Sequence, residues 1–248
     1  MLAEERMNAI CEIVNRQGAA TVTELAEELD ISESTIRRDL IALDGSSRLR
    51  KVRGGATSLR DEFIGFEKDI ATKSEQNMPE KRRIGAYAAS LVYNDDFVFL
   101  DAGTTTLCMA EELRDSKATF ITNGLLQAEA LSRFGCRVYL LGGELKATTG
   151  AIVGMQAVRS LQQYNFTKCF LGVNGITRKQ GVTTADPEEA MLKRTVSEQS
   201  FVSYALADST KFNTVYAVQI VPLNRVCILT DHLTEPSLAE YTVIKEVP

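Results

Sequence analysis

Apolar residues recur in three short amphipathic runs at the start of the chain. Met7, Ile10, Cys11 and Val14 share one helical face, and Gly18 stands where a left-handed cap would end that helix. Val22, Leu25, Ala26 and Leu29 repeat the spacing after Thr21, which opens a capping box with Glu24. Asp30 and Ile31 form a turn, Ser32 is placed to cap a third helix, and Ile36, Leu40 and Leu43 give that helix a buried face. The pattern then turns short and cationic over Arg48-Leu49-Arg50-Lys51-Val52-Arg53. It closes on Gly54-Gly55, which predicts a strand pair with glycines at its tip. By spacing alone the three helices fit either a DNA-reading module or a plain helical bundle.

From Phe97 onward the rhythm becomes strand, glycine-rich turn, helix. Residues 97–100 end at Asp101, 119–122 at Asn123-Gly124, and 137–141 at Gly142-Gly143. Residues 169–173 end at Asn174-Gly175, 202–207 at Asp208 with Lys211 just beyond, and 226–229 lead to Asp231. Near-continuous apolar strands between helices predict an α/β domain with a parallel sheet covered on both faces. Ligands of such sheets bind beyond the carboxyl ends of the strands, where these polar and glycine residues fall. Between the halves, residues 57–83 are rich in charge, with Phe63, Ile64 and Phe66 as an apolar island and a helix predicted from Pro79 through Ala89. That stretch reads as a disordered linker or as a segment docked on a neighbour.

Charge placement adds to this. Residues 1–58 hold eight Arg or Lys against ten Asp or Glu, a net −2, so the N-terminal part is not basic as a whole. Within residues 37–60, Arg37, Arg38, Arg48, Arg50, Lys51, Arg53 and Arg60 face only Asp39 and Asp44, a local +5. Ser34, Thr35, Arg37 and Arg38 lie off the apolar face of the third helix, in its first turns. Short hydroxyls beside two guanidinium groups suit base edges and phosphates, and such a helix, placed second in a helix-turn-helix, enters the major groove. With the cationic strand pair as a wing, the candidate DNA contacts are Thr21, Ser32, Ser34, Thr35, Arg37, Arg38, Arg48, Arg50, Lys51 and Arg53. A whole-chain charge of −5 does not oppose this, because phosphate neutralisation is local.

At 248 residues and 44% apolar content, the chain has room for one small and one medium domain. No apolar run approaches the roughly 20 residues of a membrane span, and the N-terminus lacks a signal-peptide core, so a cytoplasmic protein without a membrane partner is expected. Cys11, Cys108, Cys136, Cys169 and Cys227 are scattered and odd in number, as reduced core thiols would be. The only histidine, His232, lies far from any cysteine or acid cluster, so neither metal nor cofactor is expected.

The leading ligand motif is Asp101-Ala102-Gly103-Thr104-Thr105-Thr106. Glycine lets the backbone approach an anion, the amides that open the next helix point at it, and threonine hydroxyls add donors. The same residues also make an ordinary tight strand-to-helix turn. No Gly-x-x-x-x-Gly-Lys-Ser/Thr and no Gly-x-Gly-x-x-Gly after a strand is present, which favours a phosphorylated small molecule over a nucleotide.

Leu25-Ala26, the run Ile31-Ser32-Glu33-Ser34-Thr35-Ile36-Arg37-Arg38-Asp39-Leu40, Leu49 and Gly54-Gly55-Ala56 resemble the DeoR-type winged helix-turn-helix of bacterial regulators, mostly repressors, of sugar metabolism. Arg53 departs from it, where the family usually carries His, as does the approach Asp44-Gly45-Ser46-Ser47. From about residue 76 to 232 the chain is similar to the DeoR-family sensor domain. The matching landmarks are Asp101 with Gly103 to Thr106, Thr122-Asn123, Gly142-Gly143, Gly172, Gly175-Ile176, Glu189-Ala190, Lys193 and Asp208-Ser209-Thr210-Lys211-Phe212. That resemblance implies a fold like ribose-5-phosphate isomerase and a sugar-phosphate effector held by Asp101, Gly103, Thr104, Thr105, Thr106, Asn123, Gly143, Asn174, Lys193 and Lys211. It implies domains at 1–58 (DNA binding), 59–75 (linker) and 76–248 (sensor and oligomerisation), and a homo-oligomer, dimer or tetramer, on double-stranded operator DNA. Asn174 stands where an isomerase would want an acid after the Gly172 strand, so no catalytic residue is assigned. A repressor controlled by a phosphorylated sugar, fructose 1-phosphate first, is the leading expectation. The alternative is an isomerase-like enzyme with an incidental helical N-terminus.

Overall fold

The computed structural model describes residues 2–46, 48–58, 62–66 and 69–248, and of Glu62 the backbone alone. Ser47 before the wing, the cation Arg60, and Leu59, Asp61, Glu67 and Lys68 of the expected linker lie outside the described residues. Internal contacts divide the chain into two units, residues 1–62 and 63–248.

In the first unit, α1 (Ala3–Gln17) ends at Gly18, whose φ of 80° is the left-handed cap the sequence calls for. A short strand, β1 (Ala19–Thr21), precedes α2 (Val22–Leu29) and α3 (Glu33–Gly45). Thr21 caps α2 through the capping box with Glu24, Asp30 turns the chain with φ 53°, and Ser32 caps α3. Then come β2 (Arg50–Val52) and β3 (Gly55–Thr57). Ile10, Val14, Leu25, Ile36, Leu40, Leu43 and Leu49 meet in one core. The small sheet has the order β1-β3-β2, and its third strand, β1, is not legible in the sequence. The three small residues of β1 carry no strand signal of their own and pair only because β3 comes to them. Gly55 is required there, since a Cβ would stand 2.2 Å from the Ala20 carbonyl oxygen. Arg6 of α1 and the buried Asp39 of α3 form a 2.5 Å ion pair that ties the first helix to the third.

The segment expected as linker carries β4 (Glu62–Ile64) and a six-residue helix, α4 (Ile70–Glu75), capped by Asp69. Next come α5 (Met78–Ser90), β5 (Phe97–Leu100), α6 (Thr104–Glu112), β6 (Thr119–Thr122), α7 (Leu125–Arg133) and β7 (Arg137–Leu140). A hairpin of β8 (Glu144–Lys146) and β9 (Ala151–Val153) leads to α8 (Met155–Leu161) and β10 (Phe166–Gly172). Then follow β11 (Gly175–Thr177), β12 (Gly181–Thr184), α9 (Pro187–Glu198), β13 (Ser200–Leu206), β14 (Thr214–Tyr216), β15 (Val218–Val221), β16 (Cys227–Thr230) and β17 (Ile244–Glu246).

Seven strands form a parallel sheet in the order β17-β16-β13-β10-β5-β6-β7. Alternation along β5 sends Val98 and Leu100 into a core with Ile84, Met109, Phe120 and Phe170. Phe99 enters a second core with Ile121, Phe166, Leu171 and Leu192. Both central faces are therefore covered, as the unbroken apolar strands predict. The edge strand β7 departs from that expectation, since Tyr139 and Leu140 are exposed at the margin of the sheet. The other edge, β17, and a separate antiparallel sheet of β11, β12 and β15 also lie beyond the sequence-based expectation. Among the described residues, no helix is long and apolar enough to cross a membrane.

Candidate functional site

In the first unit, α3 presents its polar face as expected. Ile36, Leu40 and Leu43 are buried, whereas Ser34, Arg37 and Arg38 are exposed. The Ser32 hydroxyl hydrogen-bonds the Ser34 and Thr35 hydroxyls at 3.1 and 2.9 Å, so the three form one polar cluster at the helix start. Arg37 pairs with Glu33 one turn earlier at 2.7 Å. Arg50 and Lys51 of β2 and Arg53 in the turn are exposed, and the tip glycine, Gly54, has a φ of 89°. Asp39 does not dilute this charge at the surface, because it is buried against Arg6.

Beyond the α3 cluster, two more of the expected DNA contacts have structural partners. Thr21 accepts from the Glu24 amide at 3.2 Å and donates to its carboxylate at 2.9 Å, which is the cap of α2. Arg48 donates to the Asn8 side chain of α1 at 2.6 Å and stands outside β2. It braces α1 and precedes the first wing strand.

The second unit contains a cleft at the start of α6. Gly103 takes φ 154° and offers no side-chain cap, so the first amides of α6 have no side-chain acceptor from the capping position. Such a helix start draws anions, because the amides and the helix dipole both point outward. Thr104 and Thr105 line the cleft, together with Lys73 of α4, Lys81 of α5, Lys193 of α9 and Lys211 of a short 3-10 turn, Ser209–Lys211. Lys81 is buried and donates to the Lys73 carbonyl at 2.5 Å. Burial holds its amine below the usual lysine range, with Asp208 acting the other way and Lys211 adding to the depression.

Lys193 stands 3.0 Å from Asp101 and 3.6 Å from Glu189, and donates to the Gly172 carbonyl at 2.9 Å. Asp101 is fully buried; its Oδ2 also accepts from the Gly172 amide at 2.9 Å, while its Oδ1 has no hydrogen-bond partner. Burial pushes the Asp101 carboxyl up to about 6, although Lys193 pulls it back. Glu189 accepts from Lys146 at 2.9 Å and Thr149 at 3.0 Å, and Asn174 accepts from the Thr184 hydroxyl at 2.8 Å.

Of the expected effector residues, Gly103, Thr104, Thr105, Asn174, Lys193 and Lys211 line this cleft, and Asp101 lies behind it, under Lys193. Three others do not line it. Thr106 turns back to donate to the Gly103 carbonyl at 2.9 Å and accepts from Gln127. Asn123 accepts from the Ala102 amide at 2.9 Å, fixing the loop from behind. Gly143 serves the hairpin, where a Cβ would meet the Val153 carbonyl at 2.6 Å. Conversely, Ile70, Lys73, Lys81, Thr149 and Glu189 line the cleft although the sequence motifs do not point to them as ligand contacts. Lys81 does carry a signal: it shares the i, i+3, i+7 face of α5 with Ile84 and Ala88, where a lysine is out of place. Lys73 carries none.

Residues 76–232 match the model of the DeoR C terminal sensor domain, and residues 6–62 match the DeoR-like helix-turn-helix domain. The chain is 39% identical to an uncharacterized HTH-type transcriptional regulator FruR of Bacillus subtilis (strain 168), over 100% of this chain and 99% of that one. It is 33% identical to the HTH-type transcriptional repressor GlcR of the same organism, over 97% and 93%. To the lactose phosphotransferase system repressor of Staphylococcus aureus (strain N315) it is 36% identical, over 85% and 84%.

Proposed function

Because the chain belongs to the DeoR family of helix-turn-helix transcriptional regulators, we propose that it represses a sugar-utilisation operon and that a phosphorylated sugar in the α6 cleft sets its affinity for the operator. The observation that carries this reading is the gathering of Lys73, Lys81, Lys193 and Lys211 around the uncapped start of α6. A phosphate carries about −1.5 to −2 charge near neutral pH, and such a setting supplies both cations and backbone donors for it. Glu189, Asn174 and Thr149, which also line the cleft, offer acceptors and donors suited to sugar hydroxyls. Fructose 1-phosphate is the first effector to test.

On this reading the protein works in the cytoplasm with its operator, as a homo-oligomer, since one winged helix reads only a short site. No catalytic residue is assigned. Asp101 is clasped by Lys193 and the Gly172 amide, and Asn174 cannot serve as a base, which favours a binding site over an isomerase. A thermal-shift panel of sugar phosphates, followed by DNA-binding anisotropy with the best of them, tests the proposal. Stabilisation by one sugar phosphate with a change in operator affinity is expected. Turnover of ribose 5-phosphate without DNA binding would replace it with the enzyme reading.

A further inference from the structure

Asp208 is 1% exposed and stands where strand β13 ends, at the start of the turn that carries Lys211. Its Oδ1 is fully engaged: it accepts from the Thr210 amide at 3.1 Å, from the Thr210 hydroxyl, and from Asn77 at 3.1 Å. Asn77 is the residue before α5, the helix that carries Lys81. One carboxylate oxygen thus fastens together the two backbone segments that bear Lys81 and Lys211. The other oxygen, Oδ2, is buried with no hydrogen-bond partner and lies 3.8 Å from the Lys211 ammonium. A buried acceptor left without a donor is costly, so its retention calls for a role.

Charge supplies one. The groups that face Lys81 are Lys73 on α4, Cys108 on α6, and Asp208 and Lys211 on the turn. Lys211 and Lys73 repel the Lys81 ammonium and add to the burial that disfavours its charged form. Asp208 is the carboxylate among those groups.

We propose that Asp208 is a positioning residue of the effector cleft, whose buried carboxylate holds the segments of Lys81 and Lys211 in register and offsets the repulsion between their ammonium groups for a phosphate dianion. This rests on the reading of the cleft as a sugar-phosphate site. Asp208 does not touch the ligand; it acts through the two lysines. Without its charge, Lys81 loses its proton at lower pH, and phosphate affinity falls as pH rises.

The test is calorimetry of fructose 1-phosphate binding between about pH 7 and pH 9, well below the ordinary lysine range, for the parent, Asp208→Asn and Asp208→Glu. The parent and Asp208→Glu are expected to lose less affinity across that span than Asp208→Asn. Asp208→Asn should lose on the order of tenfold or more across that span, one lysine charge being removed. A loss equal at every pH would mean a purely structural role and overturn the proposal. If Asp208→Asn does not fold, competitive acetylation of Lys81 in the parent and in Lys211→Met takes its place. Its midpoint should rise in Lys211→Met, and an unchanged midpoint would overturn the shared field. The acetylation arm needs no sugar. A parent that binds no sugar phosphate would therefore sink the effector reading, while a Lys81 midpoint that does not fall in Asp208→Asn would overturn this one.

Discussion

Asp101 couples the cleft to pH. Its carboxyl is raised to about 6 by burial, so the folded sensor domain holds that proton more tightly than the unfolded chain does. The stability it contributes is therefore full below the unfolded value, about 4, and is lost as pH rises from there through about 6. A carboxyl-carbon NMR titration should give Asp101 a midpoint near 6, and a midpoint near 4 would contradict its buried setting. On α3, Arg37→Ala and Arg38→Ala should each weaken operator binding without lowering the melting temperature, because both are exposed. A base-reading arginine is worth about 1–3 kcal/mol of discrimination. The exposed Arg37–Glu33 pair, at about 0.3–0.5 kcal/mol, is too weak to hold Arg37 back from DNA. Binding by both variants equal to the parent would remove α3 from the interface. At this scale the sequence is legible wherever a side chain acts on its own helix, as for Ser32 and Thr21. It misleads where one motif has two uses: Thr105 faces the cleft, while Thr106 beside it bonds back to the Gly103 carbonyl.

Among the elements, α4 joins the cleft to the chain that leads toward the DNA-binding unit. It has no buried residue, yet Ile70 and Lys73 line the cleft. The Ile70 amide donates to the Thr148 carbonyl at 3.0 Å, and Lys81 holds the Lys73 carbonyl. A six-residue helix with no buried residue opens easily, so hydrogen exchange over residues 69–76 should be fast and should slow when sugar phosphate binds. Unchanged exchange would take α4 out of the response. In the wing sheet, Gly55→Ala should disrupt the β1–β3 pairing and abolish operator binding, because the added Cβ collides with backbone that cannot yield. Retained binding by that variant would contradict the close approach. Elements with a strong periodicity, such as α1, α2 and β5, are legible in the sequence alone. Those that exist through distant pairing are not: β1 waits for β3, and β17 for β16, across stretches with no local signal.

In the whole molecule, a helix-turn-helix unit and a sensor unit share one chain, and on the proposed reading the coupling between them is a difference in effector affinity between DNA-bound and free states. Allosteric couplings of this kind are typically about 1–3 kcal/mol, or roughly 5- to 150-fold in operator affinity. The measurement that tests this most directly is anisotropy on an operator selected from random DNA, with and without fructose 1-phosphate, for the parent and Thr105→Glu. Glutamate there would place a negative charge at the start of α6, in the cleft that Thr105 lines. The parent should change its operator affinity at least about fivefold when the sugar phosphate is added, the lower end of typical coupling. Thr105→Glu should bind the same DNA with parental affinity and ignore the sugar phosphate. A Thr105→Glu protein that still responds like the parent would contradict the α6 cleft as the place where the effector acts.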